Sequence, residues 1–443
     1  MLRFLGLALL ALAPLATFGT AAEYPSLALP AFSLAELKAP DDAALRAITN
    51  AIADLGMFAV TGVSGGPAAH DALSSLVACA ARGEVPLRKV EMEDGAIRHT
   101  LATATTAGVP QPLPADAVRA CPDFAVAANR LRAAVAATGG AYAAVLDRLL
   151  YGAGACTPQQ LLASGKAGTA KATAAIKAAA GADDADAAQQ VRCYGAAVRA
   201  AESLEHFHVF RPAPAAAAAT GAAERTVLGL HSDIGMFLVM TPAELFASTP
   251  QTTASSAAAA TTTSSIPCTD DRQQQARRAA RDLVVQLRDG RLVAPALPGG
   301  GDVLLVMNGE GLTRWMRPAS TGLQPYSPLH EVLSTDMGGG VRAWFGRMFM
   351  PPPSARLQAL PATDSGSDVA LFPEASANKE PAFTAAAGHG AKMMMTFAEY
   401  RAQTYALFRA GRGAEAPSMG CSPSRRRLVD EGSCGADQAG AGP

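Results

Sequence analysis

His231-Ser232-Asp233 and the later His330 can together offer two imidazoles and one carboxylate to a single metal ion. That donor set occupies one face of mononuclear non-haem iron(II) centres and leaves other coordination positions open for reactants. Residues 227–230 and 234–240 flank the His-Ser-Asp run with apolar side chains, so the whole segment reads as a short strand. Strand side chains repeat every two residues, which would put His231 and Asp233 on one face. His330 would then come from a second strand brought alongside. An isolated His-x-Asp is commonly structural, but this chain has only seven histidines, and two of them stand in apolar, strand-like surroundings.

The elements that must position these residues follow from hydrophobic periodicity. Residues 29–37 read as extended. In 42–56 Leu45, Ile48, Ile52 and Leu55 form one apolar stripe of a helix that Gly56 ends, and 57–60 is a short strand. Helical patterns follow over 68–80 and over 122–150, the second interrupted at Gly139-Gly140, and another begins at 158–165. The Ala-rich stretch 166–201 is helical by propensity and polar or small on most faces, which suits an outer layer. From 204 the pattern changes to short strands separated by Gly and Pro turns: 206–210, 226–230, 234–240, 284–287, 292–295, 303–307 and 341–350. This is the pattern of a sandwich or open barrel. Residues 247–271 have no core-forming pattern and read as an insertion on its rim, 351–381 as loop, and 392–408 as a late helix.

The 37 basic and 38 acidic residues nearly cancel, which leaves no electrostatic case for nucleic acid as a partner. Residues 1–22 combine an early Arg3, an apolar run and small residues near Ala21-Ala22, the layout of a secretory signal peptide. The expected mature chain is therefore secreted or lumenal, without a membrane partner after the leader is removed, and monomeric. Seven cysteines suit an oxidising compartment; Cys421 and Cys434 could pair, and the others are too scattered for a zinc site.

The runs Leu228-Gly-Leu-His-Ser-Asp-Ile-Gly235, Gly301-Asp-Val-Leu-Leu-Val-Met-Asn308, Leu329-His-Glu-Val332 and Arg342-Ala-Trp-Phe-Gly-Arg-Met-Phe-Met-Pro351 resemble the 2-oxoglutarate- and iron(II)-dependent dioxygenases related to isopenicillin N synthase. The start, from Leu34 to Gly62, is similar to that family's N-terminal region, so the resemblance spans residues 28–410. It implies a mixed alpha+beta fold, a double-stranded beta-helix (jelly-roll) core with flanking N-terminal helices. Taken with the leader pattern over 1–22 and the patternless stretch at 247–271, the expected organisation is a signal peptide over 1–22, an N-terminal helical region over 23–203, an oxygenase domain over 204–410 with an insertion at 247–271, and a tail over 411–443. The resemblance also implies Fe(II) on His231, Asp233 and His330, with 2-oxoglutarate and dioxygen as co-reactants and a small organic molecule as substrate. Arg342 falls where the family grips the remote carboxylate of 2-oxoglutarate, but Trp344 stands where the family has a serine partner. Arg347 is a second anchor in sequence, yet it points away from Arg342 on a strand. His206 and His208 share a face that could line the pocket, and Phe237, Trp315 and Phe345 are candidate pocket walls. A jelly roll that has lost catalysis, or an unrelated ligand-binding sandwich, would share much of this pattern.

Overall fold

The structure is a computed structural model that describes residues 24–64, 66–85, 87–91, 96–151, 193–211, 225–246, 283–298, 302–316, 323–334, 340–356 and 396–409. The expected leader (1–22), the helix start at 158–165, most of the Ala-rich stretch, the insertion at 247–271, residues 357–381 and the tail at 411–443 lie outside them. Among the described residues no helix is long and apolar enough to cross a membrane.

The fold is mixed α and β, with strands gathered into two large sheets. The smaller has the order β1 (Ser26–Ala28), β12 (Leu292–Ala296), β11 (Leu283–Gln286), β14 (His330–Ser334) and β8 (Arg225–His231). The larger runs β2 (Ala31–Ser33), β3 (Met57–Thr61), β13 (Leu304–Asn308), β9 (Phe237–Met240), β15 (Val341–Phe349), β7 (Leu204–Arg211), β5 (Ile97–Thr106) and β4 (Arg88–Glu91). Two short strands join it at the side, β10 (Glu244–Phe246) on β15 and β6 (Val109–Pro110) on β5. Strands from both ends of the chain thus share each sheet.

The larger sheet has two unlike faces. Leu101, Phe207, Val209, Val341, Ala343, Phe345 and Phe349 point to a helical layer and merge with its core. That layer contains α1 (Leu34–Lys38), α2 (Asp42–Asn50), α3 (Gly66–Arg82), α4 (Ala115–Ala120), α5 (Pro122–Tyr151) and α6 (Tyr194–Ala200). Phe124 of α5 meets Phe207 edge-on at 5.1 Å, and Phe207 meets Phe345 at 4.2 Å. The opposite face turns toward the smaller sheet, where Met57, Leu238, Leu305 and Met307 pack with Val285 of β11. A last helix, α7 (Phe397–Arg409), packs Phe397 and Tyr400 on Trp315 in a separate cluster.

Several sequence expectations need correction. The extended start stops at Ser33, because Ser33 and Glu36 form a capping box that opens α1. The helix expected up to Gly56 turns π-helical over Ala51–Leu55 before the left-handed cap at Gly56. β9 begins only at Phe237, since residues 232–236 form a turn. The ten-residue β5 was not expected, as its Thr and Ala content gives a weak apolar alternation. α5 continues through Gly139-Gly140 without a break. There the missing side chain serves packing: a Cβ on Gly139 would lie 2.1 Å from the Phe349 ring, so the ring seats directly on the helix backbone. A disulfide joins Cys79 of α3 to Cys121 just before α5, and Cys193 is also disulfide-bonded.

The two glycines make a paired prediction. Gly139→Ala should destabilise by about 1–3 kcal/mol through overpacking on Phe349. Gly140→Ala, where a Cβ meets nothing within 4 Å, should stabilise by up to about 1 kcal/mol through helix propensity. Urea denaturation of the two variants checks both signs.

Candidate metal centre

β8 ends at His231 and β14 begins at His330, and antiparallel pairing sets these two residues directly opposite each other. Their rings lie 4.3 Å apart, centroid to centroid. The register shifts between His330 and Val332, an irregularity of the kind that re-aims a side chain at a strand end. Asp233 lies in the turn after β8, so turn geometry and not strand alternation brings it to the imidazoles. One ligand atom from each of the three residues lies within 4.8 Å of the others, and His330 Nε2 stands 3.9 Å from Asp233 Oδ2. The structure therefore gathers all three predicted ligands at one point. Val285, which pairs with His330 across β11, belongs to the cluster between the sheets, so the trio faces that inner space.

Backbone contacts fix the turn. Glu310 N–H donates to the Asp233 carbonyl at 2.7 Å, Gly311 N–H to Gly235 at 2.8 Å, and Gly309 N–H to Met236 at 2.9 Å. The approach requires glycine: a Cβ on Gly309 would sit 2.4 Å from the Gly235 oxygen. The Ser232 hydroxyl donates to Glu310 Oε1 at 2.7 Å and the Tyr400 hydroxyl to Glu310 Oε2 at 2.8 Å. Glu310 thus holds the turn through its backbone and its buried side chain together. On the other flank, Gly56 adopts φ +66°, and a Cβ there would lie 2.3 Å from the Tyr326 oxygen. This lets the chain before His330 run against the end of the first helical stretch, tied by Tyr326 N–H to Ile52 at 2.9 Å.

The electrostatics suit a cation. His330 Nδ1 faces the Pro328 carbonyl at 3.3 Å, so that nitrogen carries the proton and Nε2 presents its lone pair toward Asp233. Burial pushes His330 down to about 4, leaving a neutral ligand at pH 7. Burial pushes the Asp233 carboxyl up, and the His231 charge only partly opposes it. Asp233 Oδ2 is buried with no hydrogen-bond partner. A buried carboxylate oxygen without a donor is costly, and a divalent ion held with the two imidazoles removes that cost. The donor set is one carboxylate and two nitrogens, with no sulfur, which suits iron(II).

Arg342 is buried near the start of β15, its guanidinium 5.7 Å from the Phe210 ring centre. It lies on the inner face of the larger sheet, the side that looks toward the trio. Trp344 shares that face, but its ring extends over Gly346, where a Cβ would meet it at 2.9 Å, and against His208 at 4.5 Å, hence away from Arg342. Arg347 points to the helical side, where it and Arg132 clasp the fully buried Glu205. It is not a second anchor for the inner space. His206 and His208 do line the inner face beside Trp344. Phe237 and Phe345 belong to the helix-side core and Trp315 packs on Phe397 and Tyr400, so these aromatics are core residues.

No family model and no curated protein matches this chain. Among solved structures it is similar to JOX2 in complex with 2OG, Fe and JA, at 13% identity and TM-score 0.41 with 87% of each chain covered. It is also similar to the dioxygenase for auxin oxidation in rice, at 14% identity and TM-score 0.40, covering 88% of this chain and 98% of that one. A third is a full-length Neurospora crassa protein in complex with alpha-KG and thymine, at 10% identity and TM-score 0.43, covering 86% and 97%. With TM-scores of 0.40 to 0.43, none of these likenesses decides the function.

Glu310, Ser232 and Tyr400 were not legible as site residues. The one signal for Glu310 was its place between Gly309 and Gly311 directly after an apolar strand. Two outcomes follow from this geometry. Glu310→Ala takes the acceptor from two buried hydroxyls, about 1–3 kcal/mol each, and should weaken metal retention as the turn loosens; urea denaturation and metal content after dialysis check it. In metal-free protein, unfolded His330 takes up its proton near pH 6.5 but folded His330 only near 4. The unfolded state then binds more protons in that window, and stability falls as pH drops through it, by on the order of 3 kcal/mol for this residue. Asp233, with its carboxyl raised, works in the opposite direction. Thermal melts between pH 7 and 4 should show the fall, flattened in His330→Gln.

Proposed function

We propose that this protein is an iron(II)- and 2-oxoglutarate-dependent oxygenase that hydroxylates or desaturates a small organic molecule. The observation that carries the reading is the convergence of His231, Asp233 and His330 within 4.8 Å, with one Asp233 oxygen buried and without a hydrogen bond. An unrelated ligand-binding sandwich would have no reason to gather these three side chains, and a homologue released from catalysis no reason to keep a lone buried carboxylate oxygen. In this reading the two facing sheets are the walls of a double-stranded beta-helix, and the helices on the larger sheet are its N-terminal support.

His231 and His330 would hold iron(II) as neutral imidazoles and Asp233 would hold it as a carboxylate. Iron(II) bound there, with 2-oxoglutarate as the co-reductant, would supply the oxidation of an unactivated carbon by dioxygen. Arg342, buried on the inner face, would hold the remote carboxylate of 2-oxoglutarate and so orient it. The apolar side chains between the sheets, with Val285 beside His330, would keep water from the space around a bound metal. Residues 1–22 and the Cys79–Cys121 disulfide support maturation in the secretory route.

Asp233→Ala should lose most of its iron while keeping its fold, read by metal analysis beside near-ultraviolet circular dichroism. Iron retained at the level of the unmodified protein would refute the ligand assignment. Under anaerobic conditions, iron-loaded protein titrated with 2-oxoglutarate should develop a metal-to-ligand charge-transfer band, and Arg342→Ala should require about tenfold or more cosubstrate to reach it. An unchanged titration in that variant would remove Arg342 from the role.

A further inference from the structure

The inner face of the larger sheet carries a basic group of which the chemistry above uses only Arg342. Arg98 of β5, Phe210 of β7 and Arg342 of β15 stand directly opposite one another across three neighbouring strands. The next row is Thr100, His208 and Trp344, with Arg88 of β4 opposite Thr100. Thr100 Oγ1 lies 3.0 Å from His208 Nδ1, and the His206 and His208 rings are 5.3 Å apart, which confirms that these rows share a face. Among the described residues, this face of β4, β5, β7 and β15 holds Arg88, Arg98, His206, His208 and Arg342 and no carboxylate.

Arg98 differs from Arg132 and Arg347 on the helical side. The buried guanidiniums of Arg132 and Arg347 both rest on Glu205, the arrangement expected of buried charge. Arg98 is half-buried, its Nε is enclosed with no hydrogen-bond partner, and the charge beside it is Arg88, of like sign. Its neighbourhood also holds His206 down to about 4 and His208 well below its usual value, mainly through burial, with the Arg98 charge adding to it. Both imidazoles are therefore neutral at pH 7 and can donate or accept without adding charge. Phe210, His208 and Trp344 form a continuous ring-lined strip next to Arg98.

We infer that Arg98, with Arg88 beside it, seats the carboxylate of the substrate, an organic acid whose apolar body lies along Phe210, His208 and Trp344. The inference rests on the oxygenase reading for the role of this ligand, since Arg342 is reserved there for 2-oxoglutarate. The seat itself does not depend on the metal. Arg98 supplies a forked donor to the carboxylate, Arg88 adds a second charge, and the aromatic strip accepts the apolar remainder.

The test is calorimetric titration of the full-length, metal-free protein with hexanoate and phenylacetate, each against its neutral amide. Both carboxylates should bind about tenfold or more tightly than hexanamide and phenylacetamide. Arg98→Met should erase that preference, Arg98→Lys should keep part of it, and Arg342→Met should leave it in place. Equal binding of acids and amides by the unmodified protein, which needs no variant to fold, overturns the proposal. So does a preference that survives in Arg98→Met. A preference lost in Arg342→Met and displaced by 2-oxoglutarate would show that the acids occupy the cosubstrate's place, which also overturns it while supporting the oxygenase reading. Because no metal is present, failure of the iron assignment leaves these outcomes readable.

Discussion

The pairing of His231 with His330 across β8 and β14 is the constraint on which the rest of the site depends. Two imidazoles brought to 4.3 Å in a buried setting cannot both be charged, and a carboxylate beside them has no donor for one of its oxygens. In the proposed reading a cation between its members meets both demands. A slip of one residue in this pairing would turn a histidine to the opposite face and dissolve the centre. Register is therefore set by more than the ladder itself. Val285 holds His330 from the neighbouring strand, and the irregularity after His330 stops the pairing from sliding.

Support for the ligands comes largely from places where a side chain is missing. Gly56 lets the chain before His330 lie against the end of the first helical stretch, and Gly309 and Gly311 let their strand end touch the turn that carries Asp233. Each contact joins backbone to backbone, which is stiffer than any contact through a flexible side chain. Glu310 adds polar links to Ser232 and Tyr400 on the same turn. The Arg132–Glu205–Arg347 group does a different task, fastening α5 to β7 and β15 from the far side of the sheet.

The three residues of the candidate metal site were legible as a group in the sequence, because His-x-Asp in apolar surroundings is a dense chemical signal. Strand positions after residue 204 were also legible, since apolar runs bounded by Gly and Pro carry their own boundaries. Other features depended on tertiary partners. Asp233 reaches the imidazoles by a turn that alternation along a strand does not describe. Gly139 reads as a helix break until Phe349 is seen seated on it. β5, rich in Thr and Ala, shows its nature only once β4 and β7 flank it, and with it Arg98 and Thr100 were hidden. Glu310 reads as an ordinary surface acid, since nothing local shows that Ser232 and Tyr400 will close on it.

The hydroxyl of Tyr400 on Glu310 ties the metal turn to α7, late in the chain. During synthesis all three ligand residues leave the ribosome before this helix does, and domains assemble from the N-terminal side as the chain emerges. The turn bearing Asp233 is therefore braced on one side by Ser232 and Glu310 while its other brace is still unmade. Completion of the turn's bracing thereby waits on a helix made well after the three residues it steadies, and a chain cut short before Tyr400 would display all three and yet lack that clasp.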